Sequence, residues 1–218
     1  MYFKILIFLS DFFFNNQNVE MKKRFFIAVF MSLMVIIACK QDAKTAYAEM
    51  EKQELAKGIQ NDSIFFGIHF GMSSKDFYAR CMELNKQKII KEGAGNMTAQ
   101  FRIDTPTMKF LANMDFYPKF YQNRIFYMPV QFQYVSWNPV DVKYAPQNLQ
   151  LDVLQLMEKM YGKGFIKIID PKKGRVFVKV DGNRRISITM DIERDVLVKI
   201  VDLPLARQIE GKEWKDEW

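Results

Sequence analysis

Apolar and polar residues alternate along much of the second half of the chain, as they do in half-buried β-strands. The clearest alternation is in Ile125–Trp137, and it places five apolar side chains on one face: Phe126, Met128, Val130, Phe132 and Tyr134. Two shorter segments precede it, Thr98–Ile103 and Met108–Phe116, and an Asp-Thr-Pro-Thr turn separates them. These three segments predict an antiparallel meander.

Further strands are predicted on both sides of this meander. Ile64–Phe70 is expected to be the first strand, because apolar residues occupy every second position. Asp181-Gly182-Asn183 is a strong hairpin signal nearer the C-terminus. The strands predicted around it are Gly164–Ile169, Arg175–Val180, Arg184–Met190 and Val196–Val201.

Two segments have the apolar spacing of helices. Ser73 and Asp76 form a variant of the capping box at the start of the first, which ends within Asn85–Lys88. Asn148 is predicted to cap the second, Leu149–Tyr161. The order of elements predicts an α+β fold, in which two main helices pack on one face of an antiparallel meander sheet. The pattern also indicates two loose helix-plus-three-strand halves.

The N-terminal region has a different pattern. Met21 is followed by three basic residues, by an apolar run over residues 25–38 and then by Cys39, which is the organisation of a secretory signal. Its end, Ile36-Ile37-Ala38-Cys39, resembles a bacterial lipobox. That resemblance implies cleavage before Cys39 and a diacylglyceryl group on its sulfur. The run is shorter than the about 20 residues of a membrane-spanning helix, which favours cleavage over retention.

These signals predict five segments. We interpret residues 1–20 as an over-extended start, with the true initiator at position 21; the alternative is a tandem apolar N-terminus held as a membrane anchor. Residues 21–38 are the predicted lipoprotein signal peptide. Residues 39–62 are polar and are expected to form a lipidated tether. The α+β domain is expected over residues 63–210, with a charged tail at 211–218.

The charge distribution and the cysteine content argue against a nucleic-acid-binding protein and against a disulfide-bonded fold. The net charge is +7, but the basic residues are dispersed, so we expect no nucleic-acid partner. If Cys39 is acylated, Cys81 has no partner for a disulfide. Cys81 falls on the same helical stripe as Phe77 and Leu84, and we predict that it is a small buried apolar side chain.

The sequence contains none of the common catalytic motifs. It has no Cys-x-x-Cys, no phosphate-binding loop, no Gly-x-Ser-x-Gly and no His-Glu-x-x-His, and it has a single histidine. We therefore expect no metal, no cofactor and no enzymatic activity. Hydrolysis by two carboxylates needs no such motif, so a carboxylate-dependent hydrolase is kept as the second alternative.

Aromatic residues form the densest chemical feature, with nine of them between positions 116 and 137. Exposed Tyr and Trp side chains commonly anchor protein partners or stack on sugars. The four that fall off the Phe126 face are predicted to line a binding surface: Tyr117, Tyr121, Tyr127 and Trp137. The alternative is that these side chains pack beneath a helix or a loop.

Two further candidate sites come from short patterns. Five basic residues near predicted turns are expected to form one patch that contacts lipid headgroups or lipopolysaccharide phosphate: Lys172, Lys173, Arg175, Arg184 and Arg185. Ordinary solvation of these side chains is the alternative. Asp62-Ser63-Ile64 resembles the acceptor sequence of the Bacteroidetes O-glycosylation system, which implies a glycan on Ser63.

The stretch from Phe66 to Val201 resembles uncharacterised lipoproteins of the Bacteroidetes. The segments that carry the resemblance are FGIHFGMSSKDFY, MDFYPKFYQNRIFYMPVQFQY and GFIKIIDPKKGRVFVKVDGNRRI. The resemblance implies a cell-envelope location and no known activity. A helix followed by antiparallel strands also occurs in small lipoproteins of the outer-membrane assembly machinery and in beta-lactamase-inhibitor-like proteins, a likeness of fold that transfers no function.

Together these patterns predict a lipid-anchored outer-membrane protein, with the membrane and an envelope protein as its partners. The periplasmic face is favoured, and exposure on the cell surface is the alternative. The protein's expected role is non-catalytic, as a protein-interaction or assembly module. The first alternative is a module that binds a glycan, lipopolysaccharide or another lipid through the aromatic surface.

Overall fold

The computed structural model describes residues 43–93, 95, 97–136, 138, 140–191 and 194–211. Within these residues the fold is α+β, as predicted, with one nine-stranded antiparallel sheet. The helices are α1 (Ala43–Ala56), α2 (Ser74–Lys86), α3 (Pro146–Tyr161) and α4 (Leu203–Ile209). The strands are β1 (Ile90–Glu92), β2 (Ala99–Ile103), β3 (Ala112–Phe116), β4 (Lys119–Tyr121), β5 (Arg124–Tyr134), β6 (Ile166–Asp170), β7 (Gly174–Asp181), β8 (Arg184–Met190) and β9 (Val196–Asp202).

The strand order is β1-β2-β3-β5-β9-β8-β7-β6, and β4 pairs with β5. Each half is a helix followed by a meander of four main strands, so the predicted helix-plus-three-strand halves are each one strand short. The missed strand in the first half is β1, whereas all four strands of the second half were predicted individually. The last strands of the two halves, β5 and β9, pair antiparallel at the centre, with Val130 opposite Val198. The two meanders therefore form one continuous sheet.

The strand directions define two ends of this sheet. The β2–β3 loop, the segment after β5, the β6–β7 turn and the β8–β9 turn meet at one end, which we call end A. The β4–β5 turn and the β7–β8 hairpin lie at the other, which we call end B. Because neighbouring strands are antiparallel, their loops alternate between these ends.

The main core lies between one face of the sheet and helices α2 and α3. Alternation in the central strands places apolar side chains on this face, and in β5 these include the predicted Met128, Val130, Phe132 and Tyr134. Phe126 instead packs with Tyr127 against α4, so its predicted place on this face is wrong. The core residues from α3 are Leu149, Val153 and Met157, and those from α2 are Phe77 and Leu84. Helix α2 begins at the predicted cap, since the Ser73 hydroxyl accepts a hydrogen bond from the Asp76 backbone. Helix α3 instead begins at Pro146, so the predicted cap at Asn148 is wrong.

The other face of the sheet carries α1 and α4, which the sequence did not predict. Tyr47 of α1 packs on Ile168, Val176 and Val178. Glu51 is buried, pairs with Arg207 of α4 and accepts a hydrogen bond from the Tyr47 hydroxyl. The described part of the predicted tether is therefore a docked helix, and the expected domain start at residue 63 is wrong.

Hydrogen bonds tie the segment after α1 to the β7–β8 hairpin. The backbone N–H of Asn183 donates to the Ile59 carbonyl, and that of Gly182 donates to the Glu54 carboxylate at 3.3 Å. The Asn61 side chain donates to the Asp181 carboxylate at 2.8 Å. The predicted hairpin is confirmed. Its two turn residues, Gly182 and Asn183, bind the end of α1 and the segment that follows it.

The segment expected to be the first strand is a tight turn. Phe66 and Gly67 both have positive φ, 54° and 76°, and the Ile68 N–H donates to the Phe65 carbonyl. Positive φ at both central residues is typical of the type I′ turn, and glycine adopts it without steric cost. The apolar residues on both sides of the turn point into the core, so the apparent alternation does not reflect a strand.

Candidate binding groove

The four aromatic residues predicted to share one surface lie apart. Tyr127 is only 7 % exposed, because it packs with Val201 against α4. Tyr121 is half-buried against the same cluster, whereas Tyr117 is exposed on the α2 side of the sheet. Trp137 lies outside the described residues. The predicted surface is therefore wrong for Tyr127, and among the three of these residues that the structure describes only Tyr117 contributes to an open site.

Tyr117 forms part of a groove between α2 and the β1–β2 edge of the sheet, near end B. Its hydroxyl is hydrogen-bonded to the Tyr78 hydroxyl, and both rings contact Phe77. The groove encloses about 430 Å³, within the usual size of ligand sites. The residues that line it are Phe77, Tyr78, Cys81, Met82, Asn85, Lys86, Ile90, Lys91, Glu92, Met97, Thr98, Ala99 and Tyr117.

The rim of the groove is apolar and open to solvent. Met97 is 75 % exposed, Met82 is 61 % exposed, and Tyr78 is half-exposed. Exposed apolar side chains are common singly, but several around one concave site mark a surface that binds something. Thioether side chains also adapt to differently shaped ligands.

Two titratable side chains that line the groove, Cys81 and Tyr117, have raised pKa values and are neutral at physiological pH. Burial raises the pKa of the Cys81 thiol to about 11, so the thiol stays protonated and behaves as a small apolar group. The hydrogen bond with Tyr78, together with burial, raises the pKa of the Tyr117 phenol. Cys81 lies on the predicted helical stripe, but it is only partly buried because the groove opens beside it.

The predicted basic patch does not form. Lys172, Lys173 and Arg175 lie around the β6–β7 turn at end A, whereas Arg184 and Arg185 begin β8 at end B. Both arginines of β8 are buried, so the prediction that all five share a surface is wrong. The basic residues at 172–175 and at 184–185 are close in sequence, but strand β7 runs between them. They therefore lie at opposite ends of the sheet.

Arg184 instead holds the structure together at end B. Its guanidinium donates to the Ser63 backbone carbonyl, pairs with Asp181 at 2.9 Å and stacks on the Tyr161 ring at 4.7 Å. Ser63 itself is exposed, at the edge of a polar cavity of about 500 Å³. Glycosylation of Ser63 stays a prediction.

Two carboxylates come together beside this cavity. Asp62 and Asp202 both accept from the Asn183 side-chain amide, at 3.0 Å and 3.4 Å. Burial, with a contribution from Asp62, raises the pKa of Asp202. Asn183 is buried, and its side-chain amide donates to both acids. The two carboxylates therefore help to hold the segment that contains Asp62 against the β7–β8 hairpin and β9. Within the described ranges, no three Asp, Glu, His or Cys residues are grouped as a metal site requires.

Comparison with known proteins identified no relative. No family model, no curated protein and no solved structure matched the chain. In the part of the chain that the structure describes, no helix is both long enough and apolar enough to cross a membrane. The predicted lipidation site, Cys39, lies outside the described residues, as does nearly all of the charged tail.

Proposed function

We propose that this protein is a non-catalytic interaction module of the cell envelope, anchored by acylated Cys39 and facing the periplasm from the outer membrane. Its α+β domain binds an apolar segment of an envelope protein in the groove between α2 and the β1–β2 edge. The observation that carries this proposal is the cluster of exposed Tyr78, Met82, Met97 and Tyr117 around a concave site.

The chemistry of the groove favours a protein segment over a glycan. Sugars need several fixed polar groups around an aromatic platform, whereas this groove presents mainly carbon and sulfur atoms. Tyrosine is enriched among the residues that dominate protein–protein binding energy, and methionine accommodates side chains of varied shape. Glu92, Lys86 and Lys91 at the margin supply charges that can orient a peptide.

A lipid-binding module is the alternative, because an apolar groove of this volume also accepts part of an acyl chain. The two functions differ in what contacts the groove in the cell. A protein ligand would form a covalent adduct with a photo-reactive side chain that adds the mass of a whole polypeptide, whereas a membrane lipid would add only the much smaller mass of one lipid molecule.

We expect photo-crosslinking from the groove to capture one envelope protein. A photo-reactive residue would replace Met97 in the native chain, with the same residue at Met160 as the matched control. Met160 is also an exposed methionine, but it lies on α3, away from the groove. Introducing Met82→Asp beside the probe should reduce the Met97 adduct at least about tenfold, because a charge in an apolar contact opposes binding.

Three results would contradict this proposal. An adduct of lipid mass at Met97 would favour the lipid-binding alternative. Equal adducts from Met97 and Met160 would mean that the capture is not specific to the groove. An adduct that persists in full with Met82→Asp would place the partner elsewhere.

A further inference from the structure

The second group of exposed apolar side chains lies at end A, far from the groove. Val140 is 87 % exposed and Val142 is 82 % exposed, both in the segment that follows β5. Val135, just after β5, and Ile169, near the end of β6, are exposed at the same end. This end of the fold thus presents aliphatic side chains to its surroundings from two separate segments.

Helix α1 runs along the sheet toward end B. Tyr47, in its first half, packs on Ile168, Val176 and Val178, and its hydroxyl accepts a hydrogen bond from Arg185. Glu54 and the residues after α1 reach the β7–β8 hairpin. The helix therefore has the same direction as β7, and its first turn, which begins at Ala43, is the part of it nearest to end A.

The distance from α1 to the membrane anchor is short. Only Lys40, Gln41 and Asp42 separate Ala43 from Cys39. Even fully extended, this chain reaches at most about 14 Å. An apolar N-terminus retained in the membrane would end at residue 38 and impose nearly the same limit. In either case, end A cannot move far from the bilayer.

We propose that end A docks directly on the lipid bilayer, with Val140, Val142 and Ile169 in its interfacial region. This inference rests on the anchoring proposed above. Because the anchor confines the domain next to the bilayer, the effective concentration of lipid is high and a modest apolar contact is enough to fix the orientation. The groove, near end B, then opens away from the membrane, where a partner protein can reach it.

The charges at end A indicate that docking depends on apolar contact more than on anionic lipid. Exposed Lys143 pairs with Asp141 at 2.9 Å, and Arg194 pairs with Asp195. Asp170 accepts hydrogen bonds from the backbone of the lysine-containing β6–β7 turn. With both signs present, we expect neutral phosphatidylcholine to support docking and high salt to leave it intact.

The test uses the full acylated chain in phosphatidylcholine vesicles, with Cys81→Ala to remove the free thiol. An environment-sensitive fluorophore is attached to Val140→Cys, to Ile169→Cys or, as the control at end B, to Met160→Cys. Vesicles carry a nitroxide quencher at headgroup depth, and flotation measures binding. We expect the labels at positions 140 and 169 to be quenched at least about threefold more than the label at position 160, as interfacial insertion requires.

The possible outcomes separate the two proposals. If the chain floats with vesicles but all three labels are quenched equally, anchoring holds and docking through end A is wrong. If the chain does not float, anchoring fails, and docking fails with it. If the label at Val140→Cys is shielded in native membranes but not in vesicles, a protein covers this surface and the membrane proposal is overturned.

Discussion

Replacing Asp152 with alanine is expected to lower the free energy of unfolding by about 3 kcal/mol. The Asp152 side chain is 0 % exposed on α3, and one carboxylate oxygen accepts from both the Tyr134 hydroxyl (2.7 Å) and the Lys109 backbone N–H (2.8 Å). Burial and the neighbouring carboxylate raise the pKa of the Tyr134 phenol, so its hydroxyl is always a donor. Alanine would leave the buried Tyr134 hydroxyl without an acceptor in the core.

Asp152→Asn is the matched control for this prediction. The amide oxygen can still accept both hydrogen bonds, so the expected loss is about 1 kcal/mol or less. Tyr134→Phe removes a single bond and should cost about 1–2 kcal/mol, and its effect should not add to that of Asp152→Ala. Urea unfolding followed by circular dichroism measures these differences. Equal stability of the alanine variant and the parent protein would mean that this buried network contributes nothing.

Gly182→Ala is expected to destabilise the protein by about 2–4 kcal/mol. Gly182 has a φ of +60°, and an added Cβ would lie 2.3 Å from the Ile59 carbonyl oxygen, which is a backbone atom. Because both segments are held by further hydrogen bonds, neither can move aside at low cost. The substitution should therefore separate the chain after α1 from the β7–β8 hairpin.

Gly174→Ala provides the control, since Gly174 also has positive φ, +69°, but an added Cβ there meets no atom within 4 Å. Its expected cost is about 1 kcal/mol, the conformational penalty alone. The difference between the two variants, from urea unfolding, measures the contact between residue 59 and the hairpin. If both variants lose the same free energy of unfolding, residue 59 does not contact the hairpin. The prediction that the segment before residue 63 is a tether would then be favoured again.

Strands such as β3 and the second half of β5 were predictable because every second residue is buried, which gives the sequence a two-residue period. The three-residue strands β1 and β4 were not predicted, because they are too short to show such a period. The same rule failed at Ile64–Phe70, where Gly67 and the positive φ of Phe66 reverse the chain inside an apolar run. Helix α1 was missed for a different reason. It docks through Tyr47 and an ion pair between buried Glu51 and exposed Arg207, so it has no apolar stripe to recognise.

The binding groove was only partly predictable, because its rim comes from three segments far apart in sequence. Tyr117 was identified, but Met97 and the outer residues of α2 were not. One local signal existed: Tyr78 and Met82 are spaced as helix neighbours and lie off the stripe of Phe77 and Leu84. Tyr127 was misassigned because the unpredicted helix α4 covers it.

Two groups of exposed apolar side chains lie at opposite ends of the sheet. One surrounds the groove near end B, and the other lies at end A, which the proposed anchor would hold close to the membrane. If end A is held against the membrane, the groove near end B faces away from it, and no further structural element is needed to orient the binding site. The arrangement depends on the anchor being at Cys39, a few residues before α1.

Lipid anchoring at Cys39 is decided by the intact mass of the protein purified from native membranes, compared with that of the Cys39→Ser variant. We predict a mature chain that begins at Cys39 and carries acyl groups, found in the membrane fraction. In the variant, acylation and cleavage at this position should both be lost. A native product that is soluble, unacylated or still contains the residues before Cys39 would contradict the lipid-anchored account.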